Sequence, residues 1–163
     1  MKASQRTISV TNKVRTRGLT FIEVLIVVII IGVLSGSTVP QFRKTFDNFE
    51  LDNFAKNIFY LCKNLQGTAI NEGLIYRLDI DVSKGEFQAV FNDMGEYKKP
   101  SSALGRIYRA PQDTTVSIDP PERTAVYFYP DGSVDQVELL LANRHKKQIT
   151  LTIKGAAGAI EIK

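Results

Sequence analysis

The sequence predicts an α+β chain: one very long N-terminal helix packed against an antiparallel β-sheet head. Three observations predict it. Leu19 to Val39 is an apolar run with a single charge, Glu23. From Phe42 to Ala69 the apolar residues recur mostly at steps of three and four, with one step of five, the period of a helix. From Leu74 the period changes to two and stays there in short runs to the end of the chain, the mark of strands.

The apolar run comes first. A helix over its 21 residues is about 31 Å long, close to a hydrocarbon core of about 30 Å. In lipid every backbone N–H and C=O must pair locally, so the β-branched residues Val27 to Ile31 are no obstacle to a helix there. Residues 1–18 carry Lys2, Arg6, Lys13, Arg15 and Arg17 and no acid. The far flank is mixed, with Arg43 and Lys44 followed by Asp47, Glu50 and Asp52. The basic side stays cytoplasmic, which puts the rest of the chain across the membrane. Glu23 costs a few kcal/mol at such a depth, less near a helix end. Either it is simply favoured by the dipole of the helix start, or it meets a cation.

Gly18 and Leu19, with Glu23 four positions later leading an uninterrupted apolar helix, resemble the signal of type IV prepilins and type II secretion pseudopilins. The match covers about residues 13–45. The resemblance implies a pilin-like fold, cleavage between Gly18 and Leu19 by the prepilin peptidase, and N-methylation of Leu19. Phenylalanine is the commoner first mature residue, so leucine departs from the pattern. Cleavage would free an α-amino group on Leu19, cationic at neutral pH. Its attraction to a carboxylate about 4 Å away is roughly 4 kcal/mol at an effective dielectric of 20. Glu23 is thus expected to meet the Leu19 amine of a neighbouring subunit and set the assembly register. An ordinary signal peptide cut near Ser35-Gly36-Ser37 is the rival, and the mature N-terminus separates the two.

The expected organisation is a cleaved basic leader over 1–18, a transmembrane assembly helix over 19–40, its amphipathic continuation over 41–72 and a β-sheet head over 73–163. The net charge is +4. The five basic residues of the leader exceed that by one, so the mature side chains sum to about −1, and the basic pI is no argument for nucleic-acid binding. Cys62 is the only cysteine, which excludes an internal disulfide and leaves a buried core residue or an intermolecular bond.

Gly32 and Gly36 make a G-x-x-x-G spacing, read either as close helix packing or as simple tolerance. Pro40 is expected to kink the helix. The stripe Phe42, Phe46, Phe49, Phe54, Ile58, Leu61, Cys62, Leu65 and Ala69 is expected to pack partly on a sheet and partly on neighbours, and Asn71-Glu72-Gly73 ends the helix. Ile75 to Val82 alternates as a strand, Ser83-Lys84-Gly85 turns it, and Glu86 to Phe91 returns. Asp79 and Asp81 share a face, but without histidine or a calcium-loop spacing they read as solvated, and no metal is expected. Asn92 to Thr124 is broken by prolines and reads as a solvated loop, or a contact to a neighbour or cargo, with short strands at Arg106–Arg109 and Thr115–Asp119.

Ala125–Tyr129 and Val134–Leu141 are strands joined by Pro130-Asp131-Gly132-Ser133, a turn built from turn residues. Arg144-His145-Lys146-Lys147 is a basic turn before Ile149–Lys154, and Ala159–Ile162 closes the chain. This end, about residues 125–163, resembles the C-terminal sheet of the H-type minor pseudopilins and their FimT-like relatives. The resemblance implies a minor pseudopilin of type II secretion in the bacterial inner membrane, single-pass, with its head in the periplasm. Its implied partners are other pseudopilin or pilin subunits, the prepilin peptidase, the inner-membrane assembly platform and membrane lipid. The alternative is a FimT-like minor pilin of a type IV pilus, some of which bind DNA. Here the tail lacks an arginine cluster, which argues against nucleic acid. One histidine, one cysteine and no nucleophile–base set give no catalytic residue, and no cofactor is expected.

Overall fold

The computed structural model describes residues 18–155 and 159–163, apart from the side chains of 36–41. The leader 1–17 lies outside them. Compactness divides the chain into two units, 1–39 and 40–163, taken in turn.

In the first unit, helix α1 starts at Phe21; it continues to Glu72 in the second. Leu19 precedes the helix and is exposed. The described side chains of the helix as far as Ser35 are exposed all round. Among the described residues no helix is long and apolar enough to cross a membrane. The described apolar stretch, Phe21 to Ser35, is shorter than the roughly 20 residues that a span needs. Pro40 lies within α1, and its side chain falls outside the described set, as does that of Gly36.

In the second unit α1 becomes one-sided. Leu51, Phe54, Ala55, Ile58, Leu61, Cys62, Leu65 and Ala69 are all buried. Their three-and-four spacing places them on one helical face, and each large aliphatic so buried contributes about 1.5–3 kcal/mol. The helix stops where Gly73 turns left-handed, φ +67°, and its N–H donates to the Ala69 carbonyl at 3.0 Å.

The head holds two antiparallel sheets where the alternation suggested one. The first orders β3 (Glu96–Lys98), β2 (Glu86–Asp93), β1 (Tyr76–Asp81) and β6 (Ala125–Phe128), with β4 (Ile107–Arg109) also on β2. The second orders β5 (Thr114–Asp119), β7 (Val137–Asn143), β8 (Gln148–Lys154) and β9 (Ala159–Ile162). Tyr76, Leu78 and Ile80 face inward from β1, Leu139 and Leu141 from β7, and Leu151 and Ile153 from β8. They share one core with the buried face of α1, where Phe54 meets the Phe87 ring edge to face at 5.6 Å. Cys62 lies inside it, and burial pushes its thiol up to about 12. Core burial is the outcome of the two that the sequence left open.

The expected strand at Val134 differs. Val134 makes only a single bridge to Phe128, and the Asp135 N–H still donates to Tyr127 in the first sheet. The chain therefore crosses between sheets before β7 begins at Val137. The Pro130–Ser133 turn folds the chain back beside Phe128, and the crossing falls between Asp135 and Val137. Asp131 accepts from the Ser133 N–H and hydroxyl, and Gln66 of α1 donates to the Gly132 carbonyl at 2.8 Å.

The segment read as irregular is also more ordered than its prolines suggest. Met94 and Gly95 both take positive φ, the geometry of a tight hairpin turn, and β3 pairs back on β2. At Gly105 a Cβ would stand 2.1 Å from the Pro100 carbonyl oxygen, so the backbone folds on itself there more closely than any side chain allows.

Candidate assembly surface

Thr20 and Glu23 open the helix as a reciprocal cap. The Glu23 N–H donates to Thr20 Oγ1 and the Thr20 N–H to Glu23 Oε2, each at 3.4 Å. The sequence signal was there, a threonine three residues before a glutamate, and the sequence reading missed it. Both bonds are long, so the carboxylate keeps capacity for a stronger donor. Gly18 and Leu19 precede the cap, exposed, and among the described residues beyond its chain neighbours nothing lies within 4 Å of where a Gly18 Cβ would be.

From Phe21 to Leu34 the helix presents apolar side chains on every face, none buried. A helix apolar all round has its counterpart in lipid or in other helices. No described atom of another element lies within 4 Å of where a Gly32 Cβ would be.

The phenylalanine stripe divides. Phe54 enters the core, while Phe42, Phe46 and Phe49 stay 69, 59 and 60 % exposed. With Arg43, Thr45 and Asp47 these three line an open apolar groove.

The opposite outcome meets the basic turn. The structure folds it onto α1. Arg144 bonds Asp47 at 2.6 Å and Asp113 at 2.9 Å, and His145 Nε2 lies 2.8 Å from Asp47. Lys147 reaches Asp52 at 2.5 Å, and the Asn143 amide donates to Asn48 at 2.7 Å. The turn closes on itself, its His145 and Lys147 N–H groups donating to Asn143 Oδ1. The Arg144 hydrogen bond, aided by His145, holds the Asp47 carboxyl below the usual range. Nothing in the sequence pairs residues about 95 positions apart, so this clamp was not legible there.

Asp79 pairs with Arg77 at 2.7 Å, and Asp81 accepts from Ser83 and Lys84. The Ser83 hydroxyl, then Lys84, pull the Asp81 carboxyl down to about 2. Among the described residues no cluster could hold a metal ion.

Residues 13–39 match the family described as the prokaryotic N-terminal methylation motif. No curated protein matches the chain. Among solved structures, the minor pseudopilin EpsH from the type 2 secretion system of Vibrio cholerae is similar, with a TM-score of 0.61 at 14 % identity over 70 % of this chain and 96 % of that one. The type IV minor pilin FimU of Pseudomonas aeruginosa is similar too, at 0.58 and 13 % over 71 % and 90 %. At these identities the likeness is one of fold: a long N-terminal helix packed on antiparallel sheets. The chain thus carries a prokaryotic N-terminal methylation motif ahead of a pilin-like fold.

Proposed function

We propose that this chain is a minor pseudopilin, a structural subunit of the periplasmic pseudopilus of a type II secretion system. The observation that carries the reading is an exposed Gly18-Leu19 bond directly ahead of a capped helix whose apolar side chains face outward on all sides. The prepilin peptidase cuts between Gly18 and Leu19, and Leu19 is then N-methylated. The segment 19–40 anchors the subunit in the inner membrane with the head of 73–163 in the periplasm, and Pro40 bends the helix between the anchor and 41–72. Glu23 receives the Leu19 amine of the neighbouring subunit, exchanging its weak cap for a charge-assisted bond. The assembly platform and other pseudopilins complete the partner set.

A second reading, a FimT-like minor pilin, draws on the likeness to FimU. A DNA-binding role within it has little support, because Arg144 and Lys147 are already committed to Asp47, Asp113 and Asp52. Mass spectrometry of the protein from native membranes tests the first step: the mature chain begins at N-methylated Leu19. A chain that begins at Met1 or near Thr38 sinks it. Deletion separates the two machines: loss of protein export supports the pseudopilin, loss of twitching with normal export the pilus.

A further inference from the structure

Three phenylalanines left uncovered on α1 come with two cations. Phe42, Phe46 and Phe49 stand at i, i+4 and i+7 and so share one helical face. Arg43 lines the groove with them and Lys44 is exposed on the other side of the same turn, both with no ion-pair partner among the described residues. Asp47, the acid in the same stretch, is committed to Arg144 and His145. Glu50, next along, is half-buried. The surface is therefore apolar and locally cationic.

That mixture decides the occupant. The buried centre of a protein interface favours aromatics and arginine but is depleted of lysine. The headgroup zone of a bilayer favours both together: aromatic rings at the apolar boundary, and Lys or Arg stems lying along it with their charges among phosphates. Position agrees, since Phe42 follows Val39, the last residue of the apolar run, within one helical turn.

We propose that Phe42, Arg43, Lys44, Phe46 and Phe49 form an interfacial collar that sits among anionic lipid headgroups while the subunit waits in the membrane. The inference rests on the reading of 19–39 as the membrane span. The collar holds the emerging helix at a fixed depth, and extraction into the filament must release it. Arg43 and Lys44 supply the preference for anionic phosphate; the three rings supply affinity for any bilayer surface.

The test uses the full chain in phosphatidylcholine vesicles with and without phosphatidylglycerol. An environment-sensitive label goes on V28C, F46C or Y60C in turn; native Cys62 is buried and does not compete. Lipids brominated near the glycerol act as the quencher. The label at 46 is expected to lose about half its fluorescence at the depth aromatic belts occupy, more so with phosphatidylglycerol present. The label at 60 stays bright. The double variant R43E/K44E abolishes the phosphatidylglycerol dependence and leaves the signal at 28 unchanged. Quenching at 28 without quenching at 46 overturns the collar and leaves the membrane span standing. Absence of quenching at 28 removes the span and the collar together. Shielding at 46 that tracks protein density and not brominated lipid assigns the surface to a neighbouring subunit and also overturns the collar.

Discussion

Two stretches of one helix, 21–35 and 51–69, are both rich in apolar residues and meet opposite fates. In the second, Leu51, Ile58, Cys62 and Leu65 are wholly buried, because polar residues between them leave one face to dock on the sheets. In the first, Ile22, Val28 and Ile31 are each about 60 % exposed. No polar face exists there, so no orientation against the chain's own head could bury them all. An apolar stripe finds its partner within the molecule, whereas a helix apolar on all sides has to find it elsewhere. The few polar features of the first stretch then carry specificity, and Glu23 is the charged one.

Removing that charge sharpens the contrast most. Glu23→Ala is expected to lower incorporation into filaments by at least about tenfold, given the size of the amine–carboxylate attraction, with membrane insertion unchanged. Cross-linking to neighbouring subunits at wild-type levels would break the proposed register role. Next comes a matched pair of truncations. Ile58→Ala leaves a cavity in the core and is expected to destabilise the head by about 2–5 kcal/mol. Ile29→Ala, at an exposed site, is expected to change head stability by less than about 0.5 kcal/mol. Denaturant melts of both variants in detergent check this, and equal losses would mean that the first stretch does pack on its own chain.

Where the helix joins the head, the clamp offers a smaller effect with a defined pH sign. The Asp47 carboxyl lies below its ordinary value of 3.8 in the folded chain, mainly through the Arg144 hydrogen bond. A depressed carboxylate stabilises the fold above that value, and the contribution is lost as pH falls below it. Asp81, at about 2, follows the same course between 3.8 and about 2. Asp47→Asn is expected to flatten the part of the acid-unfolding curve below about pH 4 and to lower Tm modestly, less so at high salt. An unaltered curve would show that the clamp carries no stability. Smallest is Thr20→Ala, which removes one half of the cap and costs about 1 kcal/mol in the first turn; circular dichroism of the mature chain should show slight fraying.

Legibility followed the range of the interactions. The C-terminal end of the helix and the strands at Tyr76–Asp81 and Glu86–Asp93 depend on local period and turn chemistry, and the sequence displays them. The split into two sheets was not readable, because β6 and β7 alternate alike and only tertiary contact sends Val137 to a different sheet from Phe128. The Arg144–Asp47 clamp was hidden for the same reason. The Thr20–Glu23 cap, by contrast, is local and was there to be found.

Gly105 has a practical corollary. The stretch around it looks like the natural place to insert a tag or diversify residues, with Pro100 and several polar neighbours. A saturation library across residues 100–105 should nevertheless return glycine alone at 105, since a single methyl group would force the Pro100 carbonyl aside. The permissive site for an epitope or fluorophore is the Met94–Gly95 hairpin tip, where Met94 is fully exposed.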